Sequence, residues 1–240
     1  MLVEETINAK GLAFVMHGLG GFMVQPQVQA MADAFLQNNY TTIRFDTTST
    51  LGESDGKYED ATTTNYYEDL EDVIAWAKTQ NWYEEPFTLA GQSLGGICVG
   101  LYAEKFSNEV KGLILVNSTV SGEKSIAGKD QAEIKKWKET GWETTVSISK
   151  PGVIKRLPWS HMEDRLKYDL LPLAHKLTMQ VLLISGELDN SERPEDQKDL
   201  FDKIPGQKKF VIIPGAPHTI RDPAHLDSLR SALDSWIKTL

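Results

Sequence analysis

Gly91-Gln92-Ser93-Leu94-Gly95 is the run whose residue types and spacing point most directly to chemistry. It follows the apolar run Phe87-Thr88-Leu89-Ala90 and precedes a helix-like stretch from Ile97 to Lys105, so it reads as a strand, a sharp turn and a helix. Small residues flanking the serine let the chain turn tightly enough to lift a hydroxyl above a sheet. A helix start there also supplies a free backbone N–H, that of Leu94, and a dipole that favours negative charge. Both suit a developing oxyanion, and the pattern predicts acyl transfer through Ser93.

A serine hydroxyl is a weak nucleophile until a base takes its proton. Of the five histidines, His17 belongs to a glycine turn, His161 and His175 lie in an irregular stretch, and His225 falls on a helix-like terminal segment. His218 is the candidate base. It sits in Pro214-Gly215-Ala216-Pro217-His218, just past the apolar run Phe210 to Ile213. The base needs an acid to fix its tautomer and stabilise the imidazolium. Asp189, in Gly186-Glu187-Leu188-Asp189 after the run Val181 to Ile184, completes the chain order Ser, Asp, His. Glu187 and, further off, Asp46 are its rivals.

The run Leu12 to Met16 ends in His17-Gly18-Leu19-Gly20-Gly21. A glycine turn in this place could cradle a pyrophosphate, with Asp46 on the ribose. That fingerprint needs a third glycine where this chain has Met23, and no phosphate-loop lysine follows. The alternative is that the N–H of Leu19 faces Ser93 and joins that of Leu94 as a two-donor oxyanion hole, with Gly20 as the fallback donor. No metal or organic cofactor is implied.

These groups need a frame. Near-continuous apolar runs recur at Leu12–Met16, Thr42–Phe45, Phe87–Ala90, Leu113–Val116, Val181–Ile184 and Phe210–Ile213, as strands buried on both faces should. Helix-like stretches separate them. Tyr66, Leu70, Val73, Ile74 and Ala77 share a helical face, with Glu68, Asp69, Glu71 and Asp72 read as early charges that complement the dipole. Asp222 and Pro223 read as a cap and first turn, before Leu226, Leu229, Leu233, Trp236 and Ile237 at helical spacing. Right-handed crossovers then give an α/β fold with an open, doubly wound, mostly parallel sheet, whose active groups lie at the carboxyl ends of strands.

The chain has 240 residues and 40% hydrophobic content, enough for a single domain spanning 1–240. Residues 121–176 break the rhythm with Trp137, Trp142, Trp159 and three prolines, and read as an inserted cap. Its tryptophans either wall an apolar or aromatic acyl site or simply anchor the insertion. The single cysteine, Cys98, excludes an internal disulfide. Acids outnumber bases 34 to 25, a formal net charge of −9, which disfavours a nucleic-acid partner. Glu4 and Glu5 stand where a signal peptide carries bases, and no apolar run approaches a membrane span, so a cytoplasmic protein is expected.

Taken together, HGLGG at 17–21, Asp46 with LGESDGKYED at 51–60, GQSLGG at 91–96, GELD at 186–189 and GAPH at 215–218 resemble the alpha/beta-hydrolases. Within them the chain is similar to small bacterial esterases and serine-aminopeptidase-like hydrolases, feruloyl and cinnamoyl esterases included. The resemblance implies that Ser93, His218 and Asp189 form a triad and that the backbone N–H groups of Leu19 and Leu94 form the oxyanion hole. A small-molecule ester is the expected substrate because it asks least of the leaving group; the alternatives are a thioesterase, an aminopeptidase or a carbon–carbon bond hydrolase with the same triad, or a ligand-binding receptor with little turnover. Two features depart from the pattern. Only 16 residues precede His17, so the opening antiparallel strands are expected to be shortened or missing, leaving a sheet edge that a second copy of the chain could cover. Gln92 stands before the nucleophile, where many relatives carry histidine, glycine or tyrosine.

Overall fold

The computed structural model describes residues 1–240. The chain forms nine strands and eight α-helices. The strands are β1 (Leu2–Glu4), β2 (Gly11–Met16), β3 (Tyr40–Phe45), β4 (Phe87–Gln92), β5 (Val110–Val116), β6 (Trp142–Val146), β7 (Ile154–Pro158), β8 (Gln180–Gly186) and β9 (Lys208–Ile213). The helices are α1 (Pro26–Gln37), α2 (Thr63–Ala77), α3 (Leu94–Lys105), α4 (Gly122–Ala127), α5 (Gln131–Thr140), α6 (Trp159–Arg165), α7 (Pro194–Lys203) and α8 (Pro223–Ile237).

Seven strands form one sheet in the order β1-β3-β2-β4-β5-β8-β9. All neighbours are parallel except β1, which pairs antiparallel with β3 through three residues. β1 is thus a short antiparallel strand ahead of β2.

The continuous apolar runs have a direct structural cause. Along β2, Leu12, Phe14 and Met16 enter one core while Ala13 and Val15 enter the other. On β5, Leu113 and Leu115 face one core and Ile114 and Val116 its opposite. Helices α2, α3 and α7 contribute to the first core, α1 and α8 to the second. Because both faces are covered, alternation with polar residues is absent along β2 and β5.

Helix α2 begins earlier than its acidic run suggests. Thr62 is the N-cap and its side chain accepts from the N–H of Asn65. Glu68 to Asp72 therefore fall beyond the first turn, where the helix dipole has little effect. Asp69 instead takes up the N–H and hydroxyl of Thr48, at 2.7 and 3.0 Å. Helix α8 starts as its sequence suggests, with Asp222 accepting from the N–H of Ala224 and Pro223 in the first turn.

Between β5 and β8, residues 121–176 form α4, α5, the antiparallel β6–β7 hairpin and α6, set apart from the main sheet. Asp164 of α6 fixes this segment to the domain by accepting the N–H of Thr64 at 3.0 Å and the hydroxyl of Thr64 at the start of α2. No helix is long and apolar enough to cross a membrane.

The sheet order reverses direction between β2 and β4. Their carboxyl ends lie side by side, with Met16 opposite Gly91, so the loops after them meet. Such a switch point is where open α/β sheets hold their reacting groups.

Candidate active site

Ser93 connects β4 to α3 with φ 54° and ψ −122°, a left-handed conformation unusual for any residue with a side chain. Three features hold it there. Its N–H donates to the Val116 carbonyl at 3.1 Å, and its own carbonyl accepts from Gly96 at 2.9 Å and Thr119 at 3.1 Å. A Cβ on Gly91 would run into the backbone of Gly95, and one on Gly95 into the carbonyl oxygen of His17. The small residues around the serine thus permit the close approach of three backbone segments.

His218 lies past β9 and Asp189 past β8. The hydroxyl of Ser93 lies 3.0 Å from Nε2 of His218, and Nδ1 of His218 lies 2.8 Å from Oδ2 of Asp189. The Asp189 side chain is fully buried. Its second oxygen accepts the N–H groups of Ser191 at 2.8 Å and Glu192 at 2.9 Å. That carboxylate is therefore held on both sides, and it makes Nδ1 the protonated nitrogen of the neutral ring, leaving Nε2 to accept from Ser93.

Asn117, at φ 43° directly after β5, ties these loops together. Its amide nitrogen donates to the His218 carbonyl at 2.7 Å and its amide oxygen accepts the N–H of Gly186 at 2.7 Å. Sequence reasoning missed Asn117; an asparagine immediately after an apolar strand was the available signal, because asparagine tolerates left-handed backbone.

Neither rival carboxylate approaches the imidazole. Glu187 accepts the N–H of Gly215 at 2.8 Å, bracing the loop that carries His218. Asp46 accepts the N–H of Met23 at 2.7 Å and that of Glu53 at 2.9 Å, joining the glycine turn to the 51–56 loop. The carboxylate after β3 thus has a bracing task of its own.

The glycine turn lies beside the serine. His17 is fully buried, its Nδ1 2.8 Å from the Gly18 carbonyl and its Nε2 accepting the N–H of Thr47 at 3.1 Å. Burial holds its pKa below the usual histidine value, so the ring is neutral and serves as a rigid brace. The N–H of Gly20 donates to the Tyr66 hydroxyl at 3.2 Å and is thereby occupied. Leu19 makes no such bond, and Leu94, as first residue of α3, has no intrahelical acceptor for its N–H. Gln92 is buried at the rim of the same space, its side chain against Gly18.

Ser93 and His218 open onto a cleft of about 280 Å³, roofed by residues 121–176. Its lining is mostly polar. The three tryptophans of that segment do not reach it, so the wall of aromatic acyl-binding residues is not formed by them. Trp137 is buried against Leu157 and Met162 and donates to the Leu157 carbonyl at 3.0 Å. Trp159 stands edge-on to Trp137 at 5.5 Å, and Trp142 carries the Arg156 guanidinium on its face at 4.4 Å. All three hold α5, the hairpin and α6 together around an apolar centre of their own, while Leu170 and Ala174 of the same segment join the main core. Facing the cleft instead are Lys129, Glu143, Lys155, Arg165 and Glu192. Glu192 is buried and its pKa is raised by that burial, while Lys155 has its pKa lowered by the same cause. Spacing gave no hint of this charged lining.

The family model described as "Serine aminopeptidase, S33" matches residues 7–167 of the chain. A curated relative, the "Uncharacterized 31.7 kDa protein in traX-finO intergenic region" of Escherichia coli, is 25% identical over 260 residues, which cover 95% of this chain and 90% of the relative. Among solved structures, Est1E from Butyrivibrio proteoclasticus with ferulic acid bound has a TM-score of 0.83 at 21% identity, over 99% of this chain and 93% of its own. Alpha/beta hydrolase domain-containing protein 10 from mouse has a TM-score of 0.79, also at 21% identity and with the same coverage. At such identities the likeness speaks for the fold.

Proposed function

The chain belongs to the serine aminopeptidase S33 family of alpha/beta-hydrolases, and from that premise we propose that it cleaves a small-molecule carboxylic ester through an acyl-enzyme formed on Ser93. The observation that carries this reading is the unbroken hydrogen-bonded chain from the Ser93 hydroxyl through His218 to Asp189, at 3.0 and 2.8 Å.

In this mechanism Nε2 of His218 takes the hydroxyl proton as Ser93 attacks the carbonyl carbon. The negative charge on the carbonyl oxygen is met by the N–H groups of Leu19 and Leu94. The imidazolium, stabilised by Asp189, returns its proton to the leaving alcohol as the ester bond breaks. A water, deprotonated by the same ring, then attacks the acyl-enzyme and frees Ser93. Residues 121–176 act as the cap over this reaction, limiting water and contacting the substrate.

Ester cleavage is favoured over removal of an amino-terminal residue by the state of the cleft's acids. A peptide ammonium needs an available carboxylate, but Glu143 lies 3.4 Å from Lys129 and Glu192 accepts the hydroxyl of Thr119 at 2.6 Å. Glu143 is thus already paired with a cation, and Glu192 is buried with its pKa raised, so neither is a ready partner for an ammonium.

The test is labelling by a fluorophosphonate with the modified residue mapped by mass spectrometry, run beside hydrolysis of short and long nitrophenyl esters. Labelling at Ser93, with turnover abolished in Ser93→Ala, is the expected result. Absence of both labelling and turnover in the wild-type protein would leave the cleft as a binding site without hydrolysis.

A further inference from the structure

Arg165, the last residue of α6, is only 8% exposed and lines the cleft that Ser93 and His218 share. No protein oxygen accepts a hydrogen bond from its guanidinium, no carboxylate lies within ion-pair distance, and its Nε is enclosed without a partner. A guanidinium stays charged at any physiological pH, and a buried cation without a partner is costly to maintain. Elsewhere the chain meets that need. Arg44, 4% exposed, donates through Nε and Nη2 to Glu4 and through Nη1 to the Met23 carbonyl and Gln29.

The neighbours of Arg165 do not substitute for a partner. Glu192 feels its charge but makes no ion pair with it; Oε1 of Glu192 accepts the hydroxyls of Thr119 and Ser125, at 2.6 and 3.2 Å, and Oε2 lies 3.4 Å from that of Ser125. His161 also feels the guanidinium; its Nδ1 lies on the Ala61 carbonyl and its Nε2 has no partner. Lys155, on β7, makes no ion pair either; its ammonium lies 5.6 Å over the Tyr58 ring. Two unpaired cations, one of them buried, therefore face the space where substrate would lie.

We infer that the substrate of the Ser93 reaction carries a second, ionised carboxylate, received by Arg165 with Lys155 in support. This rests on the ester-hydrolase reading and narrows it. The planar guanidinium fork can take both oxygens of a carboxylate at once, and an oxyanion there would satisfy the donors the fold leaves open. The cleft thereby selects an ester of a dicarboxylic acid or of a hydroxy acid, in place of the apolar acyl group suggested by the tryptophans.

Two matched ester sets test this. Monoethyl esters of succinate through suberate carry the carboxylate on the acyl half; acetate esters of ω-hydroxy acids of matching length carry it on the alcohol half. Each is compared with its primary amide by pH-stat. At least one carboxylate ester is expected to exceed its amide about ten- to a hundredfold in kcat/KM, the range of a charge-assisted hydrogen-bonded pair. In Arg165→Met that ratio falls to about one. Arg165→Lys, which keeps the charge but loses the fork, falls in between and serves if the methionine variant does not fold. Ratios near one in both sets for the wild type, or a preference that survives in Arg165→Met, would overturn the inference.

A second reading does not depend on turnover. Calorimetric binding of glutarate, adipate and pimelate to Ser93→Ala is expected to weaken at least about tenfold on adding Arg165→Met. Fluorophosphonate labelling and amide-ester hydrolysis without carboxylate preference or dicarboxylate binding would sink the anion site and leave the hydrolase. Arg165-dependent binding without labelling or any ester turnover would do the reverse.

Discussion

Ser93 occupies φ 54° and ψ −122°, a conformation glycine adopts freely and an L-residue only under constraint. Replacing the serine by glycine should therefore relieve strain, and the comparison that isolates it is Ser93→Gly against Ser93→Ala. Both variants lose the hydroxyl and its 3.0 Å contact with His218, so that loss cancels. Relief of the backbone strain contributes about 1–3 kcal/mol in favour of glycine. Against this, glycine's freedom in the unfolded chain costs about 0.4–1 kcal/mol. Removing a half-buried methyl costs roughly 0.4 kcal/mol more, half the value of a buried methylene. The balance is about 1 kcal/mol in favour of glycine, which in a domain of this size moves the melting midpoint up by about 2–4 °C. Urea and thermal unfolding of the two variants at neutral pH measure it. As a control, the same pair of substitutions at Ser125, inside α4, should give the opposite sign, since glycine costs roughly 1 kcal/mol relative to alanine in a helix. A Ser93→Gly protein no more stable than Ser93→Ala would refute the claim that the turn stores strain to present its hydroxyl.

Asp189→Asn should lower kcat by about three to four orders of magnitude, because an amide no longer fixes the imidazole tautomer, whereas Glu187→Gln should change it only a few-fold. Steady-state kinetics on a nitrophenyl ester separate the two, and equal losses would remove the assignment of Asp189. Gly95→Ala places a Cβ against the carbonyl oxygen of His17, forcing the elbow and the glycine turn apart. Turnover should fall by about two to three orders of magnitude as the oxyanion donors separate, with a stability loss of about 1–3 kcal/mol; a fully active variant would show that the two loops need not touch. Burial pushes the Glu104 carboxyl up to about 8 from an ordinary 4.5, and its Oε1 has no partner. The native state thus holds this proton more tightly than the unfolded chain, so its stability contribution is complete below about pH 4.5 and is lost as pH rises through about 8. Glu104→Gln should match the wild type near pH 5 and exceed it on the order of 2 kcal/mol near pH 9, read from denaturant midpoints; identical pH profiles would contradict the buried, protonated carboxyl.

Much of the frame was legible because it rests on local causes. A strand buried on both faces is apolar at most positions, and the runs from Leu12, Thr42, Phe87, Leu113, Val181 and Phe210 each lie within a strand of the main sheet. Helix starts were legible only where a cap stood beside the apolar periodicity. Asp222 before Pro223 marks α8, whereas at α2 the cap is Thr62, whose hydroxyl is a weaker local signal than the acids at 68–72. Ser93, Asp189 and His218 were singled out by their place after three strands, and the shared direction of β4, β8 and β9 brings them within hydrogen-bond distance. Asn117 occupies the same position after β5, yet it works by joining two other loops, a task that no local pattern announces.

The 121–176 segment shows where such reading ends, and why. A tryptophan in a short inserted segment has two competing places, the substrate cleft or the segment's own centre. The second prevails here because α4, α5, the β6–β7 hairpin and α6 share little apolar surface with the main sheet, and Trp137 with Leu157 and Met162 supplies the core they otherwise lack. Once the aromatic residues turn inward, the cleft face falls to what remains at the opposite positions, and those are Lys129, Glu143, Lys155 and Arg165. The polar lining of the cleft thus accompanies an apolar centre turned inward within its roof. An apolar acyl pocket built from these tryptophans would need α5, the hairpin and α6 to expose the centre that Trp137, Leu157 and Met162 form, whereas a polar lining that includes the buried Arg165 leaves that centre intact.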